Sequence, residues 1–387
     1  WPGATGKPIT NIVNIGIGGS ILGPAAVSKA LNKHDRPEIN IHYVSNVDAE
    51  AIFPILDNLD PKQTLIIAVS KSFTTLETLT NYQTAYGWLN RALPNNTIGR
   101  HLIGITATPS KALDSGIPKE NILTFGPWVG GRFSLWSTVG IPIALTIGMD
   151  GFYKLLQGAK EMDQHFCESP LTNNLPVLMA LIGIWNTDFQ NIEAHAILPY
   201  DERLSGVPQH LQQLEMESTG KTVNIQNEST PWHTAPIVFG MLGNDAQHTF
   251  FQALHQGTRT ISADFIGCIQ QDHLHNNHQD LLMANLFSQT EALLKGNANS
   301  NNSFATNEHR ICPGNRPSTT ILLDALKPET LGQLLALYEH KVFVQGIIWN
   351  INPFDQWGVE LGKDLAKTIL RRIKSGSKVA SHDGSTN

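Results

Sequence analysis

Cysteine and charge are both scarce in this sequence. Its 387 residues contain three cysteines, Cys167, Cys268 and Cys312, and no two of them form a CxxC pair. This spacing argues against a disulfide framework and against a structural zinc site, and it favours a reducing cytoplasm. The formal net charge is -6. Nucleic-acid-binding proteins concentrate Lys and Arg to neutralise phosphates, so we expect no nucleic-acid partner.

Long hydrophobic runs are also missing. We find no signal peptide and no uninterrupted run of about 18 apolar residues, so no membrane partner is expected. Hydrophobic residues nevertheless make up 41% of the chain. A chain of this length and composition predicts two domains, because one domain usually has roughly 100–200 residues.

Short apolar runs alternate with helical stretches along both halves of the chain. This alternation predicts an α/β fold with two doubly wound parallel sheets flanked by helices, and a C-terminal helix over 356–375. The apolar runs, read as buried strands, are 9–17, 39–44, 64–70, 102–106, 194–199, 237–239, 261–266 and 320–323. The helical stretches predicted between them include 49–58, 75–91 and 280–294. A change of pattern after Pro142 places the predicted domains at 1–145 and 146–387.

A glycine cluster follows the first predicted strand, over Gly16–Pro24. Such a turn lets backbone N–H groups approach an anionic or polyol ligand. It is not a dinucleotide fingerprint, because Ile21 stands where GxGxxG requires glycine. It is not an NTPase phosphate loop either, because Pro24 stands where lysine is required. A tight structural turn and a ligand cradle remain equally open at this point.

Four hydroxyl residues lie within the segment Ser70–Glu77, again after a predicted strand. Thr74 and Glu77 have the spacing of a capping box, which predicts a helix that begins here. A helix N-terminus surrounded by hydroxyls suits a phosphate monoester. The alternative is a well-capped helix with no ligand.

Two further segments contain candidates for chemistry. Gln213 and Glu217 are four residues apart and would share one face of a helix. Glu217 is a candidate general base, although a solvated surface glutamate is the commoner case. Arg132 lies among glycines and aromatic residues, where it would stabilise a developing oxyanion or form a structural ion pair.

Several other residues could transfer protons or bind metal. His255 and Lys363 are proton-transfer candidates, and Gln356 and Lys363 are seven residues apart, which predicts one helical face. His273, His275 and His278 match neither HExxH nor a Cys/His ligand set, so we interpret them as part of a polar loop and expect no metal site.

Read together, these segments resemble the glucose-6-phosphate isomerase family, whose subunits contain two sugar-isomerase (SIS) domains. The resemblance runs from the first strand almost to the last residue, and it rests on separated motifs: GIGGSILGP, SKSFTT, VGGRFSLWS, QQLEMESTGK, QHTFFQALHQGT, GNRPS and DQWGVELGK. Family members also have a helical segment before the strand at Ile9, which leads us to expect that this chain is part of a longer subunit.

The resemblance implies a role for each matching residue. It assigns catalysis to Glu217 as the proton-shuttling base, Arg132 beside the enediolate, His255 as the ring-opening group and Lys363 as its neighbour. The residues implied to bind the sugar or its phosphate are Gly19, Ser20, Ser70, Lys71, Ser72, Thr75, Gln213 and Gln356. The family is dimeric, its ring-opening histidine reaches the site from the other subunit, and it needs neither cofactor nor metal.

Other functions remain to be weighed. A non-catalytic sugar-phosphate-binding SIS module would keep the Ser70–Thr75 segment but would not need Glu217, Arg132 and Lys363 together. An isomerase for a mannose or aminosugar phosphate would share the proton chemistry. A dehydrogenase is disfavoured by the broken dinucleotide fingerprint. The sequence therefore predicts a cytoplasmic isomerase in glycolysis and gluconeogenesis.

Overall fold

The chain forms two parallel β-sheets surrounded by helices. The structure, a computed structural model, describes residues 1–32, 39–94, 96–297, 307–375 and 383–385. The strands of the first sheet are β1 (Asn11–Ile15), β2 (Asn40–Val44), β3 (Thr64–Val69), β4 (Leu102–Thr106) and β5 (Ile122–Thr124). The strands of the second sheet are β6 (Ala194–Tyr200), β7 (Ile237–Gly240), β8 (Ser262–Gln270) and β9 (Ser318–Ala325).

Helices connect the strands and cover the sheets. In the described ranges they are α1 (Leu22–Leu31), α2 (Phe53–Asp57), α3 (Leu76–Ala92), α4 (Pro109–Asp114), α5 (Ile141–Glu168), α6 (Leu175–Ile184), α7 (Val207–Thr219), α8 (Gly243–Gln247), α9 (Phe251–Gln256), α10 (Asn276–Lys295), α11 (Pro328–Ile348) and α12 (Glu360–Ser375). Short 3₁₀ turns join many of these elements, and one of them, Gly131–Trp136, contains Arg132.

The strand orders confirm the predicted fold class. The first sheet has the order β2-β1-β3-β4-β5 and the second β7-β6-β8-β9, and every pairing is parallel. All six residues of β3 are buried, because helices cover both faces of the sheet at its centre. Edge strand β9 instead alternates exposed and covered residues. Two doubly wound sheets and a C-terminal helix are therefore present as predicted.

The carboxyl ends of β1 and β3 lie side by side. These strands pair in register from Asn11 with Thr64 to Ile15 with Ala68. The glycine segment that follows β1 and the hydroxyl segment that follows β3 therefore leave the same edge of the sheet from adjacent strands. Ligands of open α/β sheets bind at this edge.

The largest apolar cluster joins the two halves of the chain. It combines Val27 and Ala30 of α1 with Leu155 of α5 and with Leu211 and Leu214 of α7, all of which are buried. The predicted domain boundary at 145 falls inside α5, on a helix that contributes to this shared cluster. The division into 1–145 and 146–387 remains a prediction.

Some local predictions were wrong. The helix expected around 49–58 is a 3₁₀ turn, Ala49–Ala51, followed by the five-residue α2, because Pro54 lies in the first turn of α2 and begins a new helix. The short elements β5 and α4 were not predicted. Three residues of strand and six of helix are too few to show a clear hydrophobic period.

Of the described helices, one stretch, Thr138–Glu168, is long and apolar enough in composition to cross a membrane. Charged residues interrupt its apolar positions, so the sequence shows no unbroken run. Phe152 and Leu155 of this stretch lie in the main apolar cluster. These contacts are those of a core helix.

Candidate active site

The glycine segment after β1 packs directly against two other predicted site segments. Gly18 has a left-handed backbone with φ of 58°, and a Cβ atom there would lie 2.9 Å from Nε2 of Gln213. A Cβ atom on Gly19 would lie 2.1 Å from the carbonyl carbon of Gly131. Both positions therefore require glycine, because the segment is enclosed by α7 on one side and by the Arg132 turn on the other.

The hydroxyl segment after β3 ends at the start of α3. Thr75 is the N-cap residue and makes no side-chain capping hydrogen bond. The predicted capping box of Thr74 and Glu77 was therefore wrong. The Ser72 and Thr74 hydroxyls are instead 2.7 Å apart, and the Ser70 and Thr75 hydroxyls are 3.1 Å apart. Four hydroxyls thus cluster beside a helix N-terminus whose N–H groups no side chain caps, as an anion site requires.

Phe73 anchors this segment to the core. Its backbone is left-handed, with φ of 49°, which is uncommon for a bulky residue. Its ring is 2% exposed and meets the Tyr82 ring edge-on at a centroid distance of 6.3 Å. The neighbouring Lys71 is exposed, and its carbonyl accepts a hydrogen bond from Oγ1 of Thr106 at 3.0 Å. The buried Phe73 ring and the hydrogen bond between Thr106 and Lys71 hold the segment at the edge of the sheet.

Gln213 and Glu217 lie on one face of α7, as predicted. Nε2 of Gln213 donates to Oε2 of Glu217 at 3.1 Å. The Glu217 side chain is 23% exposed, so its carboxylate is partly desolvated but accessible. A carboxylate in such an environment can accept a proton from a ligand.

Arg132 is buried and its guanidinium is fully engaged. It lies 3.3 Å from Glu217, from Nη1 to Oε2, and only 1% of its side chain is exposed. Nη1 donates to Oε1 of Gln356 at 3.0 Å, Nε donates to Oγ of Ser218 at 2.6 Å, and Nη2 donates to the carbonyl of Asp355 at 3.0 Å. Burial lowers the pKa of Arg132, while the negative charge of Glu217 opposes that shift. The site therefore contains a cation with a fixed orientation.

Several residues of this site, including Ser218, Lys221 and Asp355, were not singled out from the sequence. Ser218 and Asp355 hold the guanidinium, and Lys221 donates from Nζ to the carbonyl oxygens of Glu217 and Asp355, at 2.8 Å each. Burial lowers the pKa of Lys221, and the charge of Asp355 opposes the shift. Ser218 and Lys221 belong to the same motif as Glu217, so their helical spacing from it was an available signal. Asp355 contacts Arg132 and Lys221 through its backbone carbonyl, and a backbone contact leaves no pattern in the sequence.

Part of this network lines a cleft. It has a volume of about 810 Å³, and its walls include Glu217, Lys221, Gln356 and Trp357. A volume of this size accommodates a small polar ligand. Glu217 and Gln356 reach the cleft from α7 and from the segment before α12.

His255 and Lys363 lie apart from the Arg132 network. His255 belongs to α9, where its Nε2 is hydrogen-bonded to Oε1 of Gln289 at 2.9 Å beside a different cleft of about 440 Å³. Lys363 is exposed on α12 and its Nζ lies 3.2 Å from Oε1 of Glu360. Gln356 precedes a 3₁₀ turn, Trp357–Val359, so the predicted shared helical face with Lys363 was wrong. No hydrogen bond or ion pair in the described contacts joins His255 or Lys363 to Arg132.

No cluster of three or more His, Cys, Asp or Glu side chains suited to a metal ion occurs in the described ranges. The rings of His273, His275 and His278 lie near one another in tilted and edge-on arrangements, with centroids 5.6 and 5.9 Å apart. Asp272 instead pairs with Arg203 at 2.9 Å. This polar segment leads into α10, which begins at Asn276 rather than at the predicted Asp280.

Sequence comparisons identify close relatives of the chain. It is 50% identical over 387 residues to glucose-6-phosphate isomerase 1 of Chromohalobacter salexigens, covering 100% of this chain and 70% of that protein. It is 47% identical to the glucose-6-phosphate isomerase of Methylococcus capsulatus, covering 100% of this chain and 73% of that protein. The chain therefore spans about seven tenths of the length of these relatives.

A solved structure agrees with the sequence comparison. The glucose-6-phosphate isomerase of Chlamydia trachomatis superposes with a TM-score of 0.85 at 36% identity, over 95% of this chain and 70% of that one. The sequence model of the family described as phosphoglucose isomerase matches residues 1–387. With the two parallel sheets and these matches, the chain belongs to the phosphoglucose isomerase family.

Proposed function

We propose that this chain catalyses the reversible isomerisation of glucose 6-phosphate and fructose 6-phosphate, by ring opening and a cis-enediol or enediolate intermediate. One observation carries the proposal. The Glu217 carboxylate lines the cleft and lies 3.3 Å from the buried Arg132 guanidinium, and each of the two groups is contacted by a glutamine from the predicted motifs. A base next to a buried cation suits proton abstraction beside a carbonyl.

Substrate binding follows from the two neighbouring loops. The phosphate binds at the N-terminus of α3, where the Ser70, Ser72 and Thr75 hydroxyls and the Lys71 charge are available. The sugar lies along Gly19 and Ser20 toward Gln213, because the glycine segment contacts α7. Phosphate binding is remote from the bonds that change, so its binding energy orients the reacting carbons.

The proton steps use separate groups. Ring opening requires a proton delivered to the ring oxygen and one removed from the anomeric hydroxyl, and we assign these transfers to His255 and Lys363. Glu217 then takes the proton from C2 of the open aldose and returns it at C1, while the proton of the C2 hydroxyl moves to the C1 oxygen, which gives the ketose. The enediolate oxygen formed between these steps is stabilised by Arg132, whose hydrogen bonds hold it in place before the charge develops.

The test of this proposal is a coupled assay with purified protein. Glucose 6-phosphate, mannose 6-phosphate and glucosamine 6-phosphate are compared as substrates, with and without a chelator. We expect turnover of glucose 6-phosphate that chelation leaves unchanged. Preference for one of the other sugars would assign the chain to a related isomerase, and binding without turnover would assign it to a non-catalytic SIS module.

Glu217→Gln tests the role of the base. The amide cannot accept the C2 proton, so we expect turnover and the exchange of that proton with solvent to fall by about 10²–10⁴-fold, the usual contribution of a general base. Inhibition by inorganic phosphate should stay within about twofold of wild type, because the phosphate loop lies on another element.

Glu202→Gln is the matched control, because Glu202 is an exposed carboxylate paired with Lys29 away from the cleft. Its turnover should equal that of wild type. Near-normal exchange in the Glu217→Gln protein would remove Glu217 from the role of base.

We also propose that the enzyme acts in the cytoplasm as a homodimer with shared active sites. In one chain, His255 lies beside a different cleft from the one that contains Glu217. A histidine needed for ring opening would then enter the Glu217 cleft of the partner subunit. The scarcity of cysteine supports a reducing compartment.

A further inference from the structure

Helix α7 presents carboxylates on opposite sides. Glu215 and Glu217 are two residues apart and so point about 200° away from each other around the helix axis. Glu217 faces the cleft with 23% of its side chain exposed, whereas Glu215 faces the interior with 3% exposed. Glu215 contributes no atom to the cleft described above, and the proposed proton steps do not use it.

The buried carboxylate is held by one lysine. Nζ of Lys341 on α11 donates to both oxygens of Glu215, at 2.9 and 2.8 Å, and 4% of the lysine side chain is exposed. Gln345, one turn further along α11, lies 3.4 Å from the same carboxylate. Burying such an ion pair is costly, and apolar residues of similar volume often stabilise a fold as well or better. Stability alone therefore explains the pair poorly.

The geometry of the pair restricts rotation of α7. A bond from one ammonium to both carboxylate oxygens sets the direction in which Glu215 points, and therefore the rotation of the helix about its axis. Since side chains extend about 6 Å from the axis, a rotation of about 10° would move the Glu217 carboxylate by about 1 Å. A displacement of that size at a reacting group costs about 10²-fold in rate.

Helix α11 also contacts the turn that contains Arg132. Nε1 of Trp136, the last residue of that turn, donates to Oε2 of Glu339 at 2.9 Å. Glu339 and Lys341 are two residues apart on α11. One helix is thus bonded both to the element that holds the base and to the element that holds the cation.

We infer that the Lys341–Glu215 ion pair is a positioning pair that sets the distance of Glu217 from Arg132 by fixing the rotation of α7. The inference rests on the proposed isomerase function. Neither residue is a catalytic residue, because neither reaches the cleft. Their effect passes through the backbone of α7.

The test is the double variant Lys341→Met/Glu215→Met, which removes both charges and leaves neither unpaired. We expect kcat for glucose 6-phosphate to fall about tenfold or more, while the inhibition constant of inorganic phosphate and the melting temperature stay near wild type. Inhibition by phosphate reports the Ser70–Thr75 loop, which is not part of α7.

The matched control is Asp163→Asn. Asp163 pairs with His340 of α11 at 2.7 Å, on the side of α11 that faces α5. This variant removes an ion pair from the same helix without touching α7, so its kcat should be unchanged. An equal loss of kcat in the control would contradict the inference, since any damage to α11 would then suffice.

Other outcomes are equally decisive. A double variant with kcat within twofold of wild type would overturn the inference, and so would a parallel loss of kcat, phosphate binding and stability. If the double variant does not fold, Lys341→Arg keeps the charge but changes the length of the bridge, and we expect kcat to fall several-fold with phosphate inhibition unchanged. An unchanged kcat in that protein would overturn the inference. Failure of the proposed function would be seen separately, as an inactive wild type.

Discussion

Arg132 is a buried cation whose hydrogen bonds orient it before any substrate arrives. Its partners, Ser218, Asp355 and Gln356, come from segments distant in sequence, and Gln356 is 224 residues away. Arginine suits this role because its planar guanidinium stays charged when buried and offers several donors in fixed directions. A lysine at this position would supply charge without the fixed orientation.

Gly19→Ala tests the contact between the glycine segment and the Arg132 turn. The new Cβ would lie 2.1 Å from the Gly131 carbonyl carbon and 2.5 Å from the Arg132 nitrogen, and backbone atoms cannot yield as a flexible side chain would. We expect the turn to shift and kcat to fall by about 10²-fold, because Arg132 would move relative to Glu217. The measurement is steady-state kinetics together with a thermal unfolding curve.

Gly87→Ala is the control for this substitution. Gly87 lies inside α3, and a new Cβ there would lie 3.9 Å from Nη1 of Arg91, which is an ordinary contact distance. This variant should keep full activity and gain slightly in stability, because alanine favours a helix. Wild-type kinetics in the Gly19→Ala protein would contradict the proposed close packing.

Helix α11 connects α7 with the turn that contains Arg132. Along its length it packs against α5, α6 and α7, and most of its apolar residues are buried. Within this helix Glu339 is an unusual group. Burial raises its pKa to about 8 from the ordinary value of 4.5, the Trp136 hydrogen bond opposes this shift, and the charge of Asp163 adds to it.

This raised pKa predicts a pH dependence of stability. Between pH 4.5 and about 8 the folded protein keeps the Glu339 proton while the unfolded chain loses it, so the contribution of Glu339 to stability falls as the pH rises through this window. Glu339→Gln removes the titration and still accepts the Trp136 hydrogen bond. We compare the melting temperature of the variant with that of wild type at each pH. The difference, variant minus wild type, should be about 5 °C larger at pH 8 than at pH 5.

The comparison is made by thermal unfolding at several pH values. Glu168→Gln, an exposed carboxylate on α5, is the control and should follow the pH profile of wild type. Identical profiles for wild type and Glu339→Gln would show that Glu339 is ionised in the folded protein at neutral pH, against the prediction.

At the scale of the whole molecule, the candidate residues come from both halves of the chain. The cleft beside Glu217 is lined by residues of α7, the segment after it and the segment before α12. The two candidate binding loops leave β1 and β3 of the first sheet, and the glycine loop packs against α7. The main apolar cluster holds α1 and α7 together behind them. Neither half alone contains all the candidate residues of the proposed reaction.

The proposed shared site predicts complementation between two inactive variants. Differently tagged Glu217→Gln and His255→Ala chains are coexpressed and the hybrid dimer is isolated. If His255 serves the partner subunit, one of the two sites in the hybrid is intact and the activity should be about half that of wild type. Each parent homodimer should be nearly inactive.

A hybrid dimer without activity would show that His255 acts within its own chain. Sedimentation of the wild-type protein measures its oligomeric state, which should be a dimer. A monomer would contradict the shared site. Glucose-6-phosphate turnover by the hybrid is measured in the same coupled assay as that of the parents.

Local sequence patterns were sufficient for much of the architecture. The buried strands β3, β4 and β6 were predicted within one residue, because fully covered parallel strands are continuous apolar runs bounded by polar turns. The Gln213–Glu217 contact was also predictable, since i,i+4 neighbours of a helix meet whatever surrounds the helix. The start of α3 was predicted one residue early, because Thr74 bonds Ser72 and leaves Thr75 as the N-cap.

Chain topology decided which distant residues meet. Arg132 and Gln356, Lys341 and Glu215, and Trp136 and Glu339 are each more than a hundred residues apart, and no periodicity in the sequence links them. The hydrophobic periodicity of a helix or strand predicts contacts only between residues a few positions apart. These distant pairs depend instead on how α7, α11 and the two sheets pack. The motifs therefore supplied the candidate groups, and the packing of the helices determined which residues contact them, because burial of apolar faces sets the distances between the elements that hold them.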